Sequence, residues 1–166
     1  MPAAVDMRHA LANLLRNLRA GLRLAFFRPV ERLAFRMDLP QLLLLFLLSA
    51  MIDVAGDSLR VDSPRVFSLF GAGSEFYSGA LLLFTAALVA LINRQRDLAL
   101  AIPVLVLASM PVVQALHYTL IIVASRPAGL PFNDLLENFI ILWIVVVLVR
   151  SVAVAFSPPP VHAWLR

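Results

Sequence analysis

Four polar side chains interrupt the long apolar stretches of this sequence: Asp53, Gln114, His117 and Glu137. A carboxylate–imidazole–carboxylate set can hold a divalent cation, or relay a proton through a histidine that titrates near neutral pH. Gln114 lies one helical turn before His117. Ionisable groups are costly inside a bilayer, so each of these is a candidate functional residue. The competing reading is that they pair with one another or reach interfacial water at helix ends. Spacing favours that reading, because neither H-x-x-x-H nor H-E-x-x-H is present and His9 and His162 lie outside the apolar runs. Two facing intramembrane histidines for a haem are therefore not supplied. No catalytic residue, cofactor or metal ligand set is assigned.

The elements that must position these groups are helices. Leu98 to Ser125 runs 28 residues without a formal charge. About 20 apolar residues span a hydrocarbon core as helix, and this run would extend about 42 Å. It carries Pro103 and Pro111, which leaves two arrangements: one tilted, kinked helix, or a re-entrant hairpin bending near Met110-Pro111. A hairpin arm of about 13 residues is too short to cross, which favours the single helix. Three more spans fit around it. The first is Leu39 to about Gly56, opened by Asp38 as cap with Pro40 in the first turn. The second is Phe76 to Ile92, with small-residue patches at Ser78, Gly79, Ala80, Ala86, Ala87 and Ala90 suited to close packing. The last follows Asn133 or Asp134 and continues to about Phe156. The tight turn 93–97 makes the second and third spans antiparallel neighbours. Residues 57–75, with Pro64, Gly71 and Gly73, read as a loop carrying an aromatic segment; Gly71-Ala72-Gly73 lacks the lysine and further glycine of a phosphate-binding loop.

The expected fold class is thus all-α, a polytopic transmembrane bundle of four spans plus an N-terminal amphipathic interfacial helix. Its divisions are a basic arm (1–37), a membrane domain (38–156) and a proline-rich tail (157–166). The composition agrees: 61% of residues are hydrophobic and 14% charged, against about 25% charged in soluble domains. There is no cysteine, which excludes disulfides, thiolate metal sites and thiol nucleophiles. In the arm, residues 5–27 place Leu11, Leu14, Leu15, Leu18 and Leu22 on one face and Arg8, Arg16, Arg19 and Arg23 on the other. That pattern describes a helix lying in the headgroup plane, its arginines on anionic lipid; the alternative is a helix packed against the rest of the protein. Nucleic acid is the less economical partner, since the arginines flank a span. A protein partner or a second copy remains a possible occupant of the apolar faces.

The arm, the 93–97 turn and the C-terminal end hold eleven arginines, against three at Arg60, Arg65 and Arg126. The asymmetry puts both termini in the cytoplasm; arginine without lysine is consistent with a GC-rich genome and so with a bacterial source, for which the expected location is the inner membrane. From RLAFFRPVERLAFR (Arg23 to Arg36) into DLPQLLLLFLL, and over residues 20–125 in general, the chain resembles Yip-type multi-span membrane domains. It also resembles the N-terminal membrane region of bacterial legumain-like peptidase proteins. The first resemblance implies a compact module without catalytic residues. The second implies no peptidase activity here, since the cysteine is missing. The functional expectation is a non-catalytic anchoring or protein-interaction module, with a small transporter or proton-linked channel, or a membrane subunit of a larger enzyme, as alternatives.

Overall fold

The computed structural model describes residues 7–60, 69–124 and 132–157, with side chains at 57, 59, 60, 69–75, 121–124, 132–134, 136 and 137 left aside. Over these residues the protein is all-helical: α1 (Met7–Ala25), a single 3-10 turn (Arg32–Ala34), α2 (Leu39–Arg60), α3 (Leu69–Ile92), α4 (Leu98–Ala124) and α5 (Phe132–Phe156). Three segments, Leu39–Gly56, Leu98–Leu120 and Asn138–Phe156, are long and apolar enough to cross a membrane; Phe76–Ile92 is a shorter apolar helix.

α4 is the axis. It contacts all four other helices, and from Ala101 to Ser109 every residue is buried. A helix that is apolar all round belongs at a centre, and this one has no charged residue along its length. It is continuous through Pro103 and Pro111, so the hairpin arrangement is ruled out. Each proline removes one backbone donor, and fully buried Ser109 turns its hydroxyl back onto the Val106 carbonyl at 2.8 Å. The other helices each bury one stripe and leave large apolar side chains on the outside, including Leu43 and Leu47 of α2, Phe84 and Leu91 of α3 and Phe139 and Val149 of α5. In α5 the inward stripe is Ile140, Val147, Ser151 and Ala155, the spacing of a helix touching its partner along one edge.

Helix ends follow local chemistry. The Asp38 carboxylate accepts the Gln41 backbone N–H at 2.9 Å, which is the side-chain cap expected for α2. α1 and α3 both end by turning one residue into the left-handed region, Phe27 (φ 56) and Arg94 (φ 55). The paired return bonds Arg28 N–H to Arg23 O and Gln95 N–H to Ala90 O complete the six-to-one closure of a Schellman end. Pro29 then prevents any continuation of α1. Two expectations move. α2 runs on to Arg60 and α3 begins at Leu69, so Gly71 and Gly73 lie within a helix rather than a loop, leaving 61–68 outside the described residues. α5 starts at Phe132, which puts Asn133 and Asp134 inside its first turn instead of before it.

The arm is part of the bundle. α1 packs on α4, with Asn17, Ala20, Gly21, Leu24 and Ala25 buried, and Ala20 and Leu24 share one core with Leu42, Leu45, Ala86 and Leu105. The leucine face therefore divides: Leu14 and Leu18 pack on that core, while Leu11, Leu15 and Leu22 stay exposed beside Met7 and Phe26. The reason is distance. A Cβ on Gly21 would sit 1.9 Å from the Ala108 carbonyl oxygen, so the two backbones meet with no room for a branched side chain between them. Small residues, not leucines, make that approach.

Candidate functional site

Two constellations stand out, one between spanning-length segments and one around the arm. In the first, Ser49 and Asp53 lie one helical turn apart on α2 and face Gln114 on α4. The Ser49 hydroxyl donates to Gln114 Oε1 at 2.8 Å, and Gln114 Nε2 donates to Asp53 Oδ2 at 2.6 Å. One turn further along, Gly56 is pressed onto the Tyr118 ring, where a Cβ would come within 2.4 Å of ring atoms. The helices thus close together at the level where the polar chain must be shielded. Hydrogen bonds between membrane helices contribute about 0.6 kcal/mol each on average, so the two bonds set the α2–α4 register more than they stabilise the fold.

Of the four polar residues read from the sequence, the structure brings Asp53 and Gln114 together. His117 stacks on its neighbour Tyr118, with ring centroids 5.5 Å apart and 14° between planes. Glu137 lies in α5, and its side chain is outside the described set. Among the described residues no three histidine, aspartate or glutamate side chains gather as a metal would need. Ser49 was missed in the sequence. Its signal was its i, i+4 position relative to Asp53, on a face that also carries Gly56.

Chemically the chain is directional. A hydroxyl donates to an amide oxygen, and the amide's N–H donates to a carboxylate. An amide has no proton to release at ordinary pH and no free lone pair on nitrogen to accept one. Gln114 therefore orients the Asp53 carboxylate and does not conduct protons from it.

The second constellation is polar and lies where the arm folds back. Asn17, fully buried, donates to Arg36 O at 3.0 Å and accepts the Arg36 N–H at 2.7 Å, so one side chain satisfies both backbone groups of an irregular segment. Arg16 donates to Ala34 O at 2.9 Å and to Leu33 O at 2.6 Å. Arg32 pairs with Asp97, and its hydrogen bond holds the Asp97 carboxyl below the usual carboxylate range. Arg36 pairs with Asp38 at 3.0 Å. Arg150 donates to Arg28 O at 2.7 Å and lies 5.7 Å from the Phe27 ring centroid, while Trp143 Nε1 donates to Ala25 O at 2.9 Å. The arm is thereby tied to α5 and to the 93–97 turn as well as to α4.

The arginines of the arm consequently divide by role. Arg16 is occupied with backbone carbonyls. Arg19 and Arg23 are exposed and, with Arg16, line a groove of about 440 Å³ between α1 and residues 30–34. Arg8 is exposed at the start of α1. Comparison of the chain with protein-family models, with curated proteins and with solved structures finds no match.

Proposed function

We propose that this protein is a non-catalytic membrane module of four crossings, with both termini in the cytoplasm of a bacterial inner membrane. In this reading it anchors or docks a partner, with its arginine-rich end against anionic headgroups. The observation that carries the reading is the fixed arm. Asn17 and Gly21 hold α1 to the bundle, yet Leu11, Leu15, Leu22, Arg19 and Arg23 remain outward. A helix held in place with an apolar edge beside a basic one suits the boundary between acyl chains and phosphates. The eleven-to-three arginine asymmetry supports the same end facing the cytoplasm, and the Yip-type resemblance supports a multi-span module without chemistry of its own. α3 supplies the fourth crossing in this reading, its 24 residues being about 36 Å of helix.

The transporter alternative draws on Asp53, and the amide at Gln114 is the argument against a proton path through it. Purified protein in vesicles under a pH gradient separates the two. The anchoring reading expects proton flux at the level of empty vesicles, the same for wild type and Asp53→Asn. A flux that collapses in Asp53→Asn would replace it with the transporter reading.

A further inference from the structure

A groove of about 470 Å³ lies where α3 and α4 separate at the 93–97 turn, lined by Ala87, Ala90, Leu91, Arg94, Arg96 and Ala99. Its apolar lining is Ala87, Ala90, Leu91 and Ala99, and Phe84, Leu88 and Leu91 of α3 are exposed. Arg94 and Arg96 supply its charged lining. Neither Arg94 nor Arg96 forms an ion pair with an acid among the described residues, and the adjacent acid, Asp97, is taken by Arg32. The α3 carbonyls nearby are also spoken for: Asn93 Nδ2 donates to Val89 O at 2.8 Å, and the Schellman bonds cover Ala90 and Leu91. The arginines are thus not needed to cap the helix.

We propose that the α3–α4 groove binds one anionic phospholipid, its phosphate between Arg94 and Arg96 and an acyl chain along Ala87 and Leu91. Guanidinium groups match phosphate oxygens in a bidentate fashion. The apolar lining is what distinguishes a lipid from a free phosphate as the occupant. None of its lining residues belongs to the groove lined by Arg16, Arg19 and Arg23. It rests on the membrane placement proposed above, because the turn must lie at a headgroup level.

The test has two arms. With Gln95→Cys in this cysteine-free chain, an impermeant thiol reagent should leave intact cells unlabelled and label opened ones. Labelling of intact cells removes the placement, and this cytoplasmic-leaflet site with it. In the second arm, protein purified in detergent is mixed with phosphatidylglycerol or phosphatidylcholine, and retained lipid is counted by native mass spectrometry. Wild type should keep one phosphatidylglycerol. Arg94→Gln/Arg96→Gln should weaken retention about 25-fold, the product of roughly fivefold for each arginine near an anionic surface. Ala87→Phe, which adds bulk to the apolar lining and leaves both arginines, should also lose the lipid, whereas Arg19→Gln/Arg23→Gln should keep it. Equal retention of phosphatidylcholine, retention in the double arginine variant, or retention in Ala87→Phe overturns the site. Displacement of the lipid by millimolar inorganic phosphate would assign the two arginines to a free anion instead, and overturns it equally.

Discussion

Gly21→Ala is expected to destabilise the protein by about 3 kcal/mol, the upper end of overpacking costs. A single methyl group accounts for this because of where it must go. The Ala108 carbonyl oxygen would lie 1.9 Å from the new Cβ, with the Ala108 carbonyl carbon at 2.3 Å and Ser109 N at 2.9 Å. All three atoms are backbone, so no rotamer change relieves the contact. They belong to the fully buried stretch 101–109 of α4, which also packs against α2, α3 and α5. The structure yields only by lifting α1. Alanine otherwise favours a helix over glycine by about 1 kcal/mol, so intrinsic propensity predicts a change of the opposite sign. Equilibrium unfolding in mixed micelles, compared with Ala12→Gly on the exposed side of the same helix, measures the difference.

Asn17→Leu is expected to cost about 2–4 kcal/mol, although it makes α1 more hydrophobic. Asn17 is fully buried and meets both the N–H and the C=O of Arg36. Leucine would leave those two part-buried groups without their partner, at about 1–2 kcal/mol each, the lower part of the range for an unsatisfied buried group. The loss should be local first. Limited proteolysis should cut in the segment between α1 and α2 in Asn17→Leu under conditions where wild type and Asn13→Leu resist. A variant that unfolds and cleaves as wild type does would mean that the segment's other contacts, those of Arg16, Arg32 and Arg150 among them, hold it without Asn17.

The two effects show which parts of this fold can be read from sequence. Apolar length and the Asp38-Leu39-Pro40 start suffice for α2, and the charge-free run suffices for α4, since a bilayer demands both features. The inward face of α1 was not legible in the same way. Leucine periodicity identified an apolar edge correctly, but close helix contact selects the smallest residues, and Ala20-Gly21 lies on the neighbouring face beside the polar Asn17. Glycine misled again at 71 and 73, where turn propensity suggested a loop and α3 runs through. In the polar chain, Asp53 and Gln114 were legible because both are expensive in apolar surroundings. Ser49 was not, since a hydroxyl can satisfy itself on its own helix. His117 stacks on Tyr118, and the side chain of Glu137 is outside the described set. A lone imidazole beside a tyrosine finds a stacking partner without needing a carboxylate, and its distance from Asp53 along the sequence carries no information on that choice.

Hydrogen exchange of the Asn17–Ala25 amides, in the full chain embedded in lipid nanodiscs, bears most directly on the claim that the arm is part of the membrane bundle. α1 is held by Gly21 on Ala108, by Asn17 on Arg36 and by Trp143 on Ala25, none of which involves lipid. Slow exchange of these amides is expected, the same in phosphatidylcholine as in phosphatidylglycerol and unchanged by added salt. Fast exchange in phosphatidylcholine, with protection appearing only in phosphatidylglycerol and disappearing in salt, would contradict it and return α1 to a lipid-induced helix independent of the bundle.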